Sequence, residues 1–208
     1  MSSGAARTRV RMTGEQRHRQ LLDIGRELFA RRGFDATSVE EVAAHADVSK
    51  PVVYEHFGGK EGLYAVVVDR EIERVLDRFT SALAAGGSPR AMLERAALVL
   101  LGYVEDDTEG FRVLSRDSPG TGSYSSLIGE LAHRVEPLLG EQFGRRGYDP
   151  GLAPLYSQAL VGMVAQVGQW WLETRAPGRA EVAARLVDLA FAGLSGLDPD
   201  PVLRSPVP

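Results

Sequence analysis

An all-α fold follows from three observations. Apolar residues recur at helical spacing almost throughout, as in Leu21, Ile24 and Leu28, then Val68, Ile72, Val75 and Phe79, then Val182, Leu186, Leu189 and Gly193. No convincing run alternates apolar and polar residues with the period of two that a half-buried strand needs. Capping residues and glycines stand where the periodic segments should begin and end. With 208 residues, 44% of them hydrophobic, the chain is long enough to bury a substantial core.

Each element has its own punctuation. Thr13 with Gln16 has the capping-box spacing that opens a first helix, and Gly33 is its C-terminal stop. Thr37 followed by Glu40, or Ser38 followed by Glu41, opens a second helix ending near Ala46. Ser49 is a good N-cap for a third, with Pro51 tolerated in its first turn, and Gly58-Gly59 closes it. A long fourth helix spans about Lys60 to Ala85 and stops at Gly86-Gly87. Ser88-Pro89 caps a fifth reaching about Glu105, and Thr108 a sixth reaching about Arg116. Asp117-Ser118-Pro119-Gly120-Thr121-Gly122 is a loop by composition. Helical patterns resume over Ser123–Arg146, where Pro137 predicts a kink, over about Gly151–Arg175 and over Arg179–Leu197. The tail Asp198–Pro208 carries four prolines in eleven residues and is expected to be disordered. The organisation is therefore a basic arm over 1–12, a three-helix domain with a helix-turn-helix over 13–59, a larger helical domain over 60–197, and the tail.

Composition removes several function classes. Twenty-four Lys and Arg against 28 Asp and Glu, a net of −4, exclude a uniformly basic protein that coats nucleic acid without selectivity. The charge is polarised, however. Residues 1–32 hold eight Arg against Glu15, Asp23 and Glu27, whereas residues 61–208 hold 14 basic and 20 acidic groups. Cysteine is absent, so thiolate metal sites, thiol nucleophiles and disulfide frameworks are excluded, and a reducing cytoplasm is the expected compartment. The start, with Arg7, Arg9 and Arg11, lacks the apolar stretch of a secretory signal. Ala159 to Leu172 is too short, and too interrupted by Gln166 and Gln169, to cross a bilayer. No membrane association is expected.

Two short helices joined by Asp47-Val48 between Thr37 and Phe57 form the helix-turn-helix arrangement, in which the second helix enters the major groove of DNA. The pattern alone also fits a structural helical hairpin. The second helix, Ser49-Lys50-Pro51-Val52-Val53-Tyr54-Glu55-His56-Phe57, gives the stronger signal. Val53 and Phe57 can share a buried face, leaving Lys50, Pro51, Tyr54 and Glu55 to spread over the rest. Ser49, Tyr54 and His56 are donors suited to phosphate oxygens. Lys60, a cation at a helix start, opposes the helix macrodipole unless that end faces an anion. An ordinary solvated lysine is the alternative. The chain's only two lysines are Lys50 and Lys60.

The residues Gly33-Phe34, Ala46-Asp47-Val48-Ser49, Tyr54-Glu55-His56-Phe57 and Lys60-Glu61-Gly62-Leu63-Tyr64, in this order and spacing, resemble the DNA-binding domain of the TetR family of transcriptional regulators. The resemblance covers about residues 13 to 64. It implies that Thr37 or Ser38 contacts the DNA backbone, that Ser49, Tyr54, His56 and Lys60 grip phosphates, and that Lys50, Pro51, Val52 and Glu55 face base edges. Two positions depart from the family pattern. Asp47 stands where glycine is usual in the turn, and Pro51-Val52 where a small pair such as Gly-Thr is frequent. Base readout is then expected to rest heavily on Lys50, with guanine its natural partner.

Proteins of this kind bind two half-sites as dimers. The last two helices are the expected homodimer surface, through Ala159, Gly162 and Ala165 in one and Val182, Leu186, Leu189 and Gly193 in the other. The resemblance also implies a small-molecule pocket among the fourth to eighth helices, assigned to Met92, Tyr103, Phe111, Tyr156, Met163 and Trp170. Trp170 and Trp171 point in two directions from one helix, so at most one lines a cavity. The scattered His18, His45, His56 and His133 have no metal-ligand spacing, and no nucleophile elbow or phosphate-binding glycine loop occurs. Neither metal, cofactor nor catalytic activity is expected. The reading is a cytoplasmic, ligand-responsive repressor acting on a palindromic double-stranded DNA operator. The alternative is a helical ligand-binding protein or enzyme whose helix-turn-helix is scaffold.

Overall fold

The structure, a computed structural model, describes residues 12–116 and 123–202; Arg7, Arg9 and Arg11 of the arm, the loop over 117–122 and the end of the tail lie outside them. Among the described residues there are nine α-helices and no strand. They are α1 (Gly14–Arg32), α2 (Val39–His45), α3 (Lys50–Phe57), α4 (Lys60–Ala84), α5 (Pro89–Asp106), α6 (Thr108–Ser115), α7 (Ser123–Arg146), α8 (Ala153–Thr174) and α9 (Arg179–Ser195), with a short 3-10 helix at Pro150–Leu152. Two compact units divide between Val67 and Val68.

In the first unit α1 opens with the capping box, Thr13 accepting from the Gln16 amide and Gln16 from that of Thr13. Its inner face, including Leu21, Leu22, Leu28 and Phe29, is buried. Ser38 is the N-cap of α2 and accepts from the Glu41 amide at 3.2 Å. Arg17 reaches across from α1 to donate to the Ala46 carbonyl at the end of α2, 3.2 Å away. Asp47 takes φ 52, the left-handed geometry the turn demands, so the departure from glycine leaves the turn intact. Helix α3 buries Val53 completely and ends at Gly58 in left-handed geometry. The backbone of α4 then passes so near that of α3 that a β-carbon on Gly62 would lie 1.9 Å from the Phe57 carbonyl oxygen.

The second unit packs α7 against α8, and α5 against α8 and α9. Trp171 is completely buried and donates its indole N–H to the Pro177 carbonyl at 2.7 Å. Glu71 on α4 is also completely buried; the Tyr103 hydroxyl donates to it at 2.8 Å and Arg74 at 2.9 Å. One expectation shifts slightly. Asp107, not Thr108, caps α6, because the Thr108 hydroxyl bonds back to the Val104 carbonyl. Helix α7 runs unbroken through Pro137.

The Gly62 contact makes a direct prediction. Gly62→Ala forces backbone against backbone and lowers stability by about 3 kcal/mol, the upper end for overpacking. A thermal or denaturant melt of the full chain measures it.

Candidate functional site

Helix α3 presents a continuous exposed face, with Lys50, Pro51, Tyr54 and Glu55 outward and Val53 inward. Val52 and His56 are half-buried, and the His56 ring lies 5.7 Å from that of His18 on α1. Ser49 is the N-cap, yet its hydroxyl makes no hydrogen bond to its own helix. Pro51 has no N–H to offer, and the Val52 amide bonds to the Ser49 carbonyl instead, so the exposed hydroxyl is left for an external acceptor. Tyr54 is 47% exposed, and its ring lies over Gly59.

Two expected contacts are changed by the structure. Thr37 is not at the surface: it is 2% exposed, and its hydroxyl donates to the Gly33 carbonyl at 2.8 Å. It ties α1 to the start of α2, leaving the exposed Ser38 as the candidate backbone contact. Lys60 is half-buried; its ammonium donates to the Phe34 carbonyl at 3.0 Å and lies 4.2 Å from the centre of the Phe34 ring. An ammonium has three donors, so two remain for a phosphate.

One residue was missed by reading the sequence. Glu40 in the first turn of α2 is in direct contact with the Lys50 ammonium. The hydrogen bond from Lys50 holds the Glu40 carboxyl below the usual carboxylate range, and the same bond holds Lys50 above the usual lysine value. No pattern in the sequence signals a pair ten residues apart on different helices.

The second unit contains an open groove of about 800 Å³, lined by Arg78, Arg95 and Arg179 among others, and three smaller cavities that share walls. The largest of these three, about 260 Å³, is lined by Met92, Phe143 and Phe191 and bordered by Arg145 and Arg146. Leu93, Ala96 and Val135 separate it from one of about 40 Å³ that includes Met163. Leu100 and Val164 belong to that cavity and to a third of about 30 Å³, where Tyr103, Phe111 and Tyr124 meet. Four of the six expected pocket residues therefore line this series. Tyr156 does not, because its ring packs edge-on against Phe143 at 5.2 Å. Trp170 does not either: it is 54% exposed, and Trp171 is the inward member of the pair. Tyr124, which no expectation named, donates to the Ala165 carbonyl at 2.8 Å, and burial pushes its hydroxyl up to about 12.

The expected dimer residues divide as well. Leu189, Gly193 and Ala159 are exposed, and Gly162 and Ala165 half-buried. Val182 is buried inside the chain, and Leu186 lines the second cavity, because α9 turns that side inward. The outward face of α8 adds Leu155, 65% exposed, and Trp170.

A short polar helix held outward by a helix-turn-helix, in a chain whose other unit is wholly helical among the described residues, defines a DNA-binding transcriptional regulator. Residues 21–67 match the model of bacterial regulatory proteins of the tetR family, and residues 89–193 match that of the tetracyclin repressor-like C-terminal domain. The chain belongs to the TetR family. It is 28% identical to the HTH-type transcriptional activator FasR of Mycolicibacterium smegmatis, over 98% of this chain and 93% of that one. Over 42% of each chain it is 34% identical to the HTH-type transcriptional repressor KstR2 of Rhodococcus jostii. A solved TetR-like transcriptional regulator from Rhodococcus sp. RHA1 superposes with a TM-score of 0.69 at 29% identity, covering 90% of this chain and all of that one. Among the described residues no helix is long and apolar enough to cross a membrane.

Two measurements follow. Thr37→Val takes the donor from the half-buried Gly33 carbonyl and lowers stability by about 1–2 kcal/mol in a melt, with the salt dependence of DNA binding unchanged. The phenolate absorbance step that Tyr124→Phe removes lies near pH 12. Because the folded-state value is raised, the contribution of Tyr124 is fully present below about pH 10 and is lost as pH rises toward 12, by about 1–2 kcal/mol after allowing for partial exposure.

Proposed function

We propose that the protein is a ligand-responsive repressor that acts in the cytoplasm by binding rather than by catalysis, as a homodimer on a palindromic operator. The observation that carries the effector half of this reading is the series of three adjoining cavities. An elongated, mainly apolar molecule fits such a series, with Arg146 at the border of the widest part suited to an anionic end, the neighbouring Arg145 being paired with Glu141. The ligand acts by binding one arrangement of the two subunits more tightly than the other, which changes the spacing of the two α3 helices and hence operator affinity. The sign of regulation is a matter of where the operator lies relative to the promoter. The names of the relatives include both an activator and a repressor.

The exposed apolar residues of α8 and α9, Leu155, Trp170 and Leu189 with Ala159, Gly162 and Gly193, supply a subunit interface. Ser38, Ser49, Tyr54, His56 and Lys60 are assigned to phosphates, and Lys50, Pro51, Val52 and Glu55 to base edges. Lys50 carries most of the direct readout.

The decisive experiment measures affinity for the protein's own promoter region and for random duplex across a salt series. The expected result is a preference for the promoter and a steep loss of affinity with salt. Lys60→Ala lowers the salt slope by about one, whereas Tyr54→Phe removes an uncharged donor and weakens binding at every salt concentration with the slope unchanged. A protein with no salt-dependent preference for its promoter region contradicts the regulator reading. Leu189→Glu is expected to shift sedimentation toward the monomer and to weaken operator binding with it. Straight-chain alkyl carboxylates of increasing length are expected to release the operator from the wild type but not from Ala96→Phe, which fills the wall between the first two cavities. Promoter activity that rises when the protein is removed fits a repressor.

A further inference from the structure

The contact between Glu40 and Lys50 joins the two helices of the helix-turn-helix on their solvent side. The Lys50 side chain is 46% exposed and that of Glu40 63%. The Lys50 ammonium also lies 5.6 Å from the centre of the Tyr54 ring, so a carboxylate and an aromatic face restrict where it can go. Their positions account for the pairing. A carboxylate in the first turn of α2 is favoured by the helix dipole, and an ammonium at the first residue of α3 is disfavoured until an anion stands beside it. Each partner holds the other in its charged form.

The pair leaves unused hydrogen-bonding capacity side by side. One of the three ammonium N–H groups is taken by Glu40, while the Glu40 carboxylate accepts from Lys50 and from its own backbone amide. Two donors on the ammonium and the remaining lone pairs of the exposed carboxylate therefore lie side by side. A lone lysine is a point charge that binds a phosphate as readily as a guanine. With a carboxylate held against it, a phosphate is repelled, and the matching surface must offer acceptors beside a donor.

The major-groove edge of a G·C pair has that order, guanine N7 and O6 as adjacent acceptors followed by the cytosine N4 donor. In an A·T pair the donor lies between two acceptors, so an ammonium spanning the places of guanine N7 and O6 meets the adenine N6 donor, and a carboxylate in the place opposite cytosine N4 meets the thymine O4. We propose that Glu40 and Lys50 form one composite reader of a single G·C pair in each half-site, Lys50 donating to guanine and Glu40 accepting from cytosine. The proposal rests on the DNA-binding reading above. It makes Glu40 a specificity-determining residue that lowers affinity for other sequences while fixing one base pair. Glu55, exposed on α3, has no cation in contact with it among the described residues and is not part of the reader.

The test selects duplexes from a random-sequence pool with the full-length wild type and with Glu40→Gln, Glu40→Ala and Lys50→Ala. Affinity is then measured for the selected duplex, for the same duplex with its candidate G·C pair changed to A·T, and for random duplex. Both side chains are exposed, and matching melting curves confirm that the variants fold. In the wild type a G·C position emerges in each half-site, and its change to A·T weakens binding about tenfold or more. In both Glu40 variants that discrimination falls to about threefold or less while binding to random duplex tightens. In Lys50→Ala the discrimination is lost and binding to every duplex weakens. Undiminished G·C discrimination in the Glu40 variants, or unchanged affinity for random duplex, overturns the composite reader and leaves the DNA-binding reading standing. A wild type that enriches no sequence overturns both.

Discussion

The α-carbon of Gly62 and the carbonyl of Phe57 approach so closely that no side chain fits between them. That approach closes the turn from α3 to α4, and the position of α3 depends on it. An eight-residue helix is not stable by itself in water, and α3 buries only Val53 completely. Its orientation is therefore imposed from outside, by the turn at Asp47 on one side and the turn through Gly58 and Gly62 on the other. Around that turn Tyr64 meets both Phe29 and Phe34 edge to face, with centroids about 5 Å apart, and Lys60 closes over Phe34. The motif Lys60-Glu61-Gly62-Leu63-Tyr64 is thus a packing device as well as a source of a cation.

The same economy of polar groups runs through the rest of the first unit. Hydroxyls that the fold uses point inward, as Thr37 does to Gly33. The Ser49 hydroxyl, which the fold does not use, lies at the exposed start of α3. The amide that a capping hydroxyl takes elsewhere in this chain, three residues on, is here the Val52 amide, and it bonds to the Ser49 carbonyl instead.

In the second unit the constraint is of another kind. Glu71 is a carboxylate with no exposure, tolerated because Tyr103 and Arg74 supply charge-assisted hydrogen bonds that offset the loss of water. The ring of the same tyrosine lines the innermost cavity. A ligand that reaches that cavity touches a side chain already committed to a buried charge, so space there is not adjustable without consequence for α4.

Much of this was determined by sequence alone because it is local. The capping box at Thr13 and Gln16, the Ser38 cap, the glycine stops and the helical repeats depend on residues three or four apart, and α1 to α9 lie close to where those signals put them. The resemblance that carried the family also resides in a contiguous stretch. Which way each residue faces was decided by tertiary packing. Trp170 and Trp171 are adjacent in sequence, and only the fit of α8 against α5 and α7 turns one outward and the other into the core. Val182 and Leu189 share one periodic stripe, yet α5 covers the first and leaves the second exposed. Glu40 and Lys50 meet because the left-handed turn at Asp47 folds α3 back toward the start of α2. Periodicity specifies a face of a helix; the neighbours of that face are supplied by the rest of the chain.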